Sequence, residues 1–219
     1  RPLAGRRVLV TAGPTHEPMD PVRFVGNRSS GKMGYALASA AAEAGAAVTL
    51  VSGPTALADP VGVTTVRVET AEAMAAAVRD HLNGTDLFIA CAAVSDHRPA
   101  EAATQKRKGK APFSLELETN PDILAEVAAR PDAPLTLGFA AETDQVLENA
   151  RAKRAAKGAD WLAVNDVSEA GAGFGGDTNR VTLLGPDGEA ELPLASKAEV
   201  ARTLIERVAA AMGRRPQTV

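Results

Sequence analysis

Short apolar runs, each stopping at a turn signal or a glycine, alternate along this chain with helix-patterned segments, and that alternation restricts the fold more than any other feature. The runs are Arg7–Ala12, Ala47–Val51, Thr64–Val68, Asp86–Ala92, Leu135–Phe139 and Trp161–Val164. They are apolar on both faces, the pattern of parallel strands covered from above and below. Between them the spacing predicts a helix over Lys32–Gly45, with Gly45 past its end, and another from an N-cap at Thr70 to Leu82. A third helix is expected to open at Asn120-Pro121-Asp122 with Asn as N-cap and Pro at the first helical position. A fourth runs from Val146 to Lys157 and stops at Gly158, and Ser196-Lys197-Ala198-Glu199 is a capping box for the last. The expected fold is therefore α/β: one domain over residues 1–219, a doubly wound, mostly parallel, Rossmann-like sheet with helices on both faces. A C-terminal β-hairpin, about 180–193, follows from Arg180–Leu184 and Glu189–Leu192 flanking Pro186-Asp187-Gly188. Only 3% of residues are aromatic although 45% are hydrophobic, so alanine and short aliphatics fill the core and helices lie close on the sheet.

Several function classes drop out. A net charge of −3 supplies no field for nucleic acid. No apolar run approaches the ~20 residues that span a bilayer, and Arg1–Arg7 lacks the apolar core of a secretory signal. The single cysteine, Cys91, rules out an intrachain disulfide and fits a reducing cytoplasm. It sits in an expected buried strand without an adjacent cation, so an inert thiol is the simpler reading than a nucleophile. The chain starts at Arg1 rather than Met, which is expected of a trimmed terminus or of a piece of a longer polypeptide.

In doubly wound sheets ligands bind at the carboxyl ends of strands. Chemistry is therefore expected after strands one, four and five, and after strand six, where a Gly-rich loop spans Gly171–Gly176. Gly26-Asn27-Arg28-Ser29-Ser30-Gly31-Lys32-Met33 spells a Walker A loop until its last residue, where Met33 replaces the magnesium-binding hydroxyl. It also begins more than ten residues after its strand. What survives is an anion site: Ser29, Ser30 and Gly31 precede a helix whose free N–H groups and dipole favour negative charge, with Lys32 beside them. The plainer alternative is that Ser29 or Ser30 only caps the helix. No G-x-G-x-x-G follows strand one, which speaks against ordinary NAD binding.

The cations are informative because the chain has 17 Arg and only 7 Lys. Lys32, Lys106, Lys108, Lys110, Lys153 and Lys157 all fall near strand-end loops or the helices after them, and only Lys197 lies elsewhere. Lys153 and Lys157 are four apart on one helix, a like-charge pair costing roughly 0.2–0.5 kcal/mol without an anion. A solvated face accounts for that pair alone, whereas convergence on a polyphosphate accounts for the set. The segment from His97 to Pro112 breaks the pattern and reads as a mobile flap. His16, His81 and His97 are too scattered for a triad or a metal site. Asp96, just past strand four, is placed either to stabilise a turn or to meet a ribose, a base or a phosphate-bound metal.

Assembled, these segments resemble phosphopantothenoylcysteine synthetase, a coenzyme A pathway ligase, from about Arg6 to Ala210. The matching blocks are Thr11-Ala12-Gly13-Pro14-Thr15, Asp20-Pro21-Val22-Arg23-Phe24, Asn27–Gly34, Ala92-Ala93-Val94-Ser95-Asp96, Asn120-Pro121-Asp122-Ile123, Gly138–Thr143 and Asn165-Asp166-Val167. The resemblance implies ligation of 4′-phosphopantothenate to cysteine in two steps. CTP with Mg²⁺ (or Mn²⁺) first gives an acyl-cytidylate and pyrophosphate, and the cysteine amine then displaces CMP. It implies that Asn27 and Lys106 are catalytic, Asn27 toward the acyl-cytidylate and Lys106 from the flap toward the triphosphate. Nucleotide contacts are implied for Ala90, Cys91, Ala92, Asp96, Pro121, Asp122, Ile123, Leu124, Phe139, Lys153 and Lys157. A substrate phosphate site is expected at Ser29, Ser30, Gly31, Lys32 and Arg23. The metal is expected to be held mainly by the triphosphate, with Asp96 as a possible contact. No flavin is expected in this chain, although in many bacteria the synthetase is fused behind a flavin-dependent decarboxylase. Members pair as homodimers, and the 180–193 ribbon suits that role because an isolated two-stranded ribbon is marginal. The flap departs from the family's usual run, reading Lys106-Arg107-Lys108-Gly109-Lys110, and His97 stands where relatives carry an aromatic ring. A reductase on a variant nucleotide fold and a non-catalytic nucleotide sensor are the alternatives, separated by NADPH binding and by cysteine-dependent turnover.

Overall fold

The structure of the protein, a computed structural model, describes residues 1–166 and 175–213. β1 (Arg7–Ala12) is followed by a long excursion carrying a short ribbon, β2 (Glu17–Pro18) with β3 (Phe24–Val25), before α1 (Lys32–Glu43). Next come β4 (Ala47–Ser52), β5 (Val63–Arg67), α2 (Ala71–Leu82) and β6 (Leu87–Ala90). A second ribbon, β7 (His97–Pro99) with β8 (Leu117–Thr119), leads to α3 (Ile123–Ala128), β9 (Leu135–Glu142), α4 (Val146–Lys157) and β10 (Trp161–Asp166). β11 (Thr178–Gly185), β12 (Gly188–Ser196) and α5 (Lys197–Met212) complete the described chain.

An 8-stranded sheet runs in the order β12-β11-β10-β9-β6-β1-β4-β5. The strands from β10 to β5 are parallel, while β11 and β12 are antiparallel additions. The order reverses at β1, whose neighbours are β4 and β6, so a crevice opens over the carboxyl ends of β1 and β6. Alternate residues of each strand serve opposite layers. Val8, Val10, Leu87 and Ile89 pack with Leu37 of α1 and Leu204 of α5. Leu9, Val51 and Phe88 face Met74 of α2 and Val127 of α3, and Leu162 and Val164 meet Ala150 of α4. The doubly wound fold expected from the sequence is thus observed, with helices on both faces.

Small side chains set the layer spacing. A Cβ on Gly34 would come within 2.4 Å of the Ala12 Cβ, so α1 rests almost on the backbone of β1. Thr70 caps α2 by accepting from the Ala73 N–H, and Ser196 with Glu199 forms the reciprocal capping box of α5.

Four expectations are corrected. The helix after the second ribbon starts at Ile123, capped by the Asp122 carboxylate, because the Asn120 side chain is taken up elsewhere: it donates to the Ser95 carbonyl and accepts from Arg98. The fourth apolar run stops pairing at Ala90, since the Ala92 N–H is donated to Thr11 Oγ1, and Cys91 therefore lies past the strand end. The flap has a hydrogen-bonded base, with His97 opposite Thr119 and Pro99 opposite Leu117, and reaches beyond Pro112. The hairpin is no isolated ribbon, because β11 pairs with β10 in the main sheet, and the argument that it needs a second chain for stability lapses. Most of the expected Gly171–Gly176 loop lies outside the described residues.

Overpacking a tight contact costs about 1–3 kcal/mol. Gly34→Ala is expected to lower urea-unfolding stability by that amount, whereas Gly213→Ala, whose new Cβ would meet nothing closer than 3.8 Å, should not. Equal midpoints for the two variants would contradict the close approach.

Candidate active site

The long excursion after β1 ends by returning α1 to the strand it left. Gly13 and Gly31 both hold positive φ, 82° and 78°, and a Cβ on Gly31 would lie 3.3 Å from the Gly13 Cα. The N-terminus of α1 consequently sits over the carboxyl end of β1, although the sequence separation is unlike that of a P-loop. Gly31 is the N-cap residue and has no side-chain cap. Ser29 Oγ accepts from the Gly31 N–H at 3.3 Å and Ser30 Oγ from the Lys32 N–H at 3.4 Å, leaving further N–H groups of the first turn to a ligand. Asn27 ties this turn to the loop after β6: its Nδ2 donates to the Ala93 carbonyl at 2.6 Å and its Oδ1 accepts from the Ser29 N–H at 3.1 Å. One Asn27 N–H is engaged there, and an amide carries two.

The loop from Cys91 to Asp96 is stitched on every side. The Ala93 N–H donates to the Gly13 carbonyl at 2.9 Å, the Ser95 N–H to Thr15 Oγ1 at 3.0 Å, and the Asn120 N–H to the Asp96 carbonyl at 2.8 Å. This fixed loop divides the crevice into two adjoining cavities. One, of about 420 Å³, is bounded by Asn27, the α1 start from Ser29 to Gly34, and Cys91. The other, of about 440 Å³, is bounded by Ala90, the segment Pro121–Leu124 and Lys157. Ala92, Val94, Asp96, Phe139 and Lys153 line both.

The structure therefore gathers almost every residue singled out from the sequence into one two-chambered crevice. Lys106, Lys108 and Lys110 are exceptions, exposed on the flap and lining neither chamber. Arg23 is another. Its guanidinium bonds the buried Asp20 carboxylate, at 2.5 Å from NH2, and its NH2 also reaches the Arg107 carbonyl of the flap. Lys153 Nζ lies 3.3 Å from Glu142, and Lys157 pairs with Asp122. The like-charge cost expected for these lysines is thus answered by a carboxylate for each rather than by an anion alone. Lys32 likewise bonds Asp177 at 2.7 Å and the Gly175 carbonyl at 3.3 Å.

Burial pushes the Cys91 thiol up to about 12, the nearby Lys197 charge opposing only in part, so the thiol stays protonated at neutral pH. Among the polar residues lining this cavity, Asn179 and Lys197 were not read as site residues from the sequence, and Asn165 entered only within a matching block. The signal for Lys197 was a lysine in the first turn of a helix, the end where a cation is disfavoured. Among the described residues no group of three or more His, Cys, Asp or Glu side chains is arranged to hold a metal. Asp96 is a single exposed carboxylate on the shared wall, which fits a divalent ion that brings phosphate ligands with it. No described helix is long and apolar enough to cross a membrane.

Such a crevice, at the strand-order reversal of a doubly wound sheet, defines a nucleotide-fold α/β domain with a divided ligand site. Residues 3–212 match the DNA/pantothenate metabolism flavoprotein C-terminal domain, and the chain belongs to that family. It is 47% identical over 217 residues to the coenzyme A biosynthesis bifunctional protein CoaBC of Vibrio vulnificus, covering 97% of this chain and 54% of the relative. The CoaBC of Escherichia coli is 47% identical over 206 residues, covering 92% and 51%. The chain thus spans about half the length of the curated relatives it matches. A crystal structure of the C-terminal domain of CoaBC superposes with a TM-score of 0.84 at 43% identity, covering 98% of this chain and 99% of that one. A Cab2 mutant in complex with phosphopantothenate-cysteine shares the fold at 16% identity and a TM-score of 0.75, covering 95% and 87%.

The Asp20 carboxylate accepts from the Val22, Arg23 and Arg107 N–H groups as well as from the Arg23 guanidinium. The guanidinium, helped by these backbone donors, holds its carboxyl well below the usual aspartate range. A depressed folded value means the contact is at full strength above the free value of about 4 and is lost as pH falls through the lower, folded value. Asp20→Asn should speed amide exchange around Arg107 at neutral pH without affecting β1 or β6. Unchanged exchange there would show that Asp20 does not anchor the flap.

Proposed function

We propose that the chain ligates 4′-phosphopantothenate to cysteine at the expense of CTP in coenzyme A biosynthesis. The observation that carries this reading is the divided crevice, one chamber suited to a nucleoside and the other to an acyl chain and phosphates, with Asn27 and Asp96 at the partition. The family membership and the coenzyme A role in the relatives' names support it, as does the product bound by Cab2 on the same fold.

The nucleoside occupies the chamber formed by Ala90, Ala92 and Pro121–Leu124, and its phosphates run past Asp96, Lys153 and Lys157. The substrate phosphate is met by Ser29, Ser30, Gly31 and Lys32 at the α1 N-terminus, where N–H groups and the dipole favour it. The pantothenate carboxylate attacks the α-phosphorus, the bond to pyrophosphate breaks, and an acyl-cytidylate forms. Lys106, brought over by movement of the flap, balances charge gathering on the departing pyrophosphate. The cysteine amine then adds to the acyl carbon, loses a proton, and CMP leaves. The remaining Asn27 N–H orients the acyl-nucleotide and polarises its carbonyl. Asp96 would help to hold Mg²⁺ brought by the triphosphate, which would supply charge neutralisation there. This chemistry needs positioned donors more than a strong base, in keeping with a crevice whose one thiol is held protonated. Arg23 reaches a phosphate only by leaving Asp20. In the full-length protein this domain follows a flavin-dependent decarboxylase, and the active form is a cytoplasmic homodimer.

Pyrophosphate is expected from CTP and 4′-phosphopantothenate before cysteine is added, and CMP only after. No release with any nucleoside triphosphate would remove the function, and equal rates with ATP would remove the nucleotide preference. Removing one well-placed donor typically costs ~10²–10³ in rate. Lys106→Gln should slow pyrophosphate formation, whereas Asn27→Asp should still release pyrophosphate in a single turnover but accumulate acyl-cytidylate in quenched samples. Reversed phenotypes would exchange the two roles.

A further inference from the structure

Lys197 has no part in the reaction as described, yet its position is costly. It occupies the first turn of α5, at the positive end of a 16-residue helix, where a cation is disfavoured. It is 7% exposed and lines the chamber that holds the α1 start. Its proton affinity is lowered by burial and then by the charge of Lys32, with Asp177 and Cys91 opposing. Two ammonium groups thus approach one chamber from two helices, and Asp177, whose carboxylate holds Lys32, accepts the Lys197 backbone N–H at its main-chain carbonyl.

Asn179 provides a second, independent observation. It lines the same chamber, is 4% exposed, and its amide oxygen has no hydrogen-bond partner among the described residues. Among the described residues its Nδ2 meets the Met33 sulfur at 3.8 Å, a weak acceptor. Buried polar side chains are ordinarily satisfied, and a half-turn of this amide exchanges oxygen for an N–H donor. Its neighbours Thr178 and Ala195 belong to the paired ends of β11 and β12, so the hairpin carries both Asn179 and Lys197 to the mouth of α1.

A group with one charge and two oxygens in a plane matches this set poorly, because the donors come from the helix end, from Lys32 and from the opposite wall. A tetrahedral dianion matches it. We propose that Lys197 and Asn179 bind a phosphate group of the reactants, closing around it from the side opposite the α1 N-terminus. This rests on the ligase reading above. The same chemistry is presented by the terminal phosphates of CTP and by the phosphate of 4′-phosphopantothenate.

Calorimetric titration of the wild-type protein, Lys197→Gln, Lys197→Arg and Asn179→Asp with CTP, CMP, pyrophosphate, 4′-phosphopantothenate and pantothenate separates these sources. Hydrogen bonds to charged groups correspond to roughly 10–100-fold in affinity. Lys197→Gln is expected to weaken a phosphate-bearing ligand by about that factor, Lys197→Arg to restore most of it, and Asn179→Asp to weaken the same ligand by repulsion. Loss toward CTP and pyrophosphate with CMP unchanged assigns the terminal phosphates. Loss toward 4′-phosphopantothenate with pantothenate unchanged assigns the substrate phosphate. Affinities untouched in Lys197→Gln and Asn179→Asp overturn the proposal, and so does equal loss toward ligands with and without the phosphate, the mark of a purely structural role. If the wild-type protein binds neither CTP nor 4′-phosphopantothenate, the ligase reading fails and this inference falls with it. Should Lys197→Gln fail to fold, the Asn179→Asp titrations decide alone.

Discussion

No side chain fits between α1 and β1 where Gly34 crosses Ala12, and most of the site follows from that closeness. A helix resting on its strand carries its N-terminus to the strand's carboxyl end whatever the length of the intervening chain. The excursion from Gly13 to Ser30 is therefore free to be long, provided it returns to place Gly31 against Gly13. That return sets Asn27 against the loop after β6 and fixes the partition between the two chambers. Low aromatic content belongs to the same design: an alanine-filled interface keeps helix and sheet close, and wide rings would push them apart.

The cations of the crevice are held in an internal balance. Lys32, Lys153 and Lys157 each have a carboxylate partner, in Asp177, Glu142 and Asp122. The pairs are partly exposed, so each contributes little to folding. On the ligase reading proposed above, their effect is on binding, because an incoming polyanion must compete with acids already in place. Selectivity follows, since a ligand with a single charge gains less from displacing three carboxylates than a triphosphate does. Asp122 carries a double load, capping α3 while holding Lys157, so a helix start and an ion pair border the same chamber.

What was legible in the sequence was whatever depends on local pattern. The strand runs, the capping box at Ser196 and the glycine stops appear in the structure close to where they were expected. Asp96 could be placed because it sits just past an apolar run, and strand ends converge in this class of fold. Phe139 and Pro121–Leu124 were placed by the family resemblance, not by local pattern. Lys197 was not placed: its seat in the first turn of α5 is a local hint of an unusual cation, but its approach to the crevice depends on the antiparallel return over β11 and β12. Arg23 and Cys91 show the complementary gap. An arginine in a polar loop does not announce that Asp20 holds it, and an apolar run does not reveal that its last residues peel away toward Thr11. The N-cap at Asp122 rather than Asn120 has the same origin, a side chain taken by a distant partner.

The outermost strand, β12, ends the sheet in a way that bears on assembly. Its exposed positions include Glu189, Glu191 and Pro193. Proline offers no N–H to a neighbouring strand, and a bulge between Asn179 and Val181 breaks the register opposite it. Like a hem sewn along cut cloth, this border works against the sheet continuing into another molecule along β12. Any pairing of a second strand along β12 would lack the N–H that Pro193 cannot offer and would meet the shifted register at the bulge.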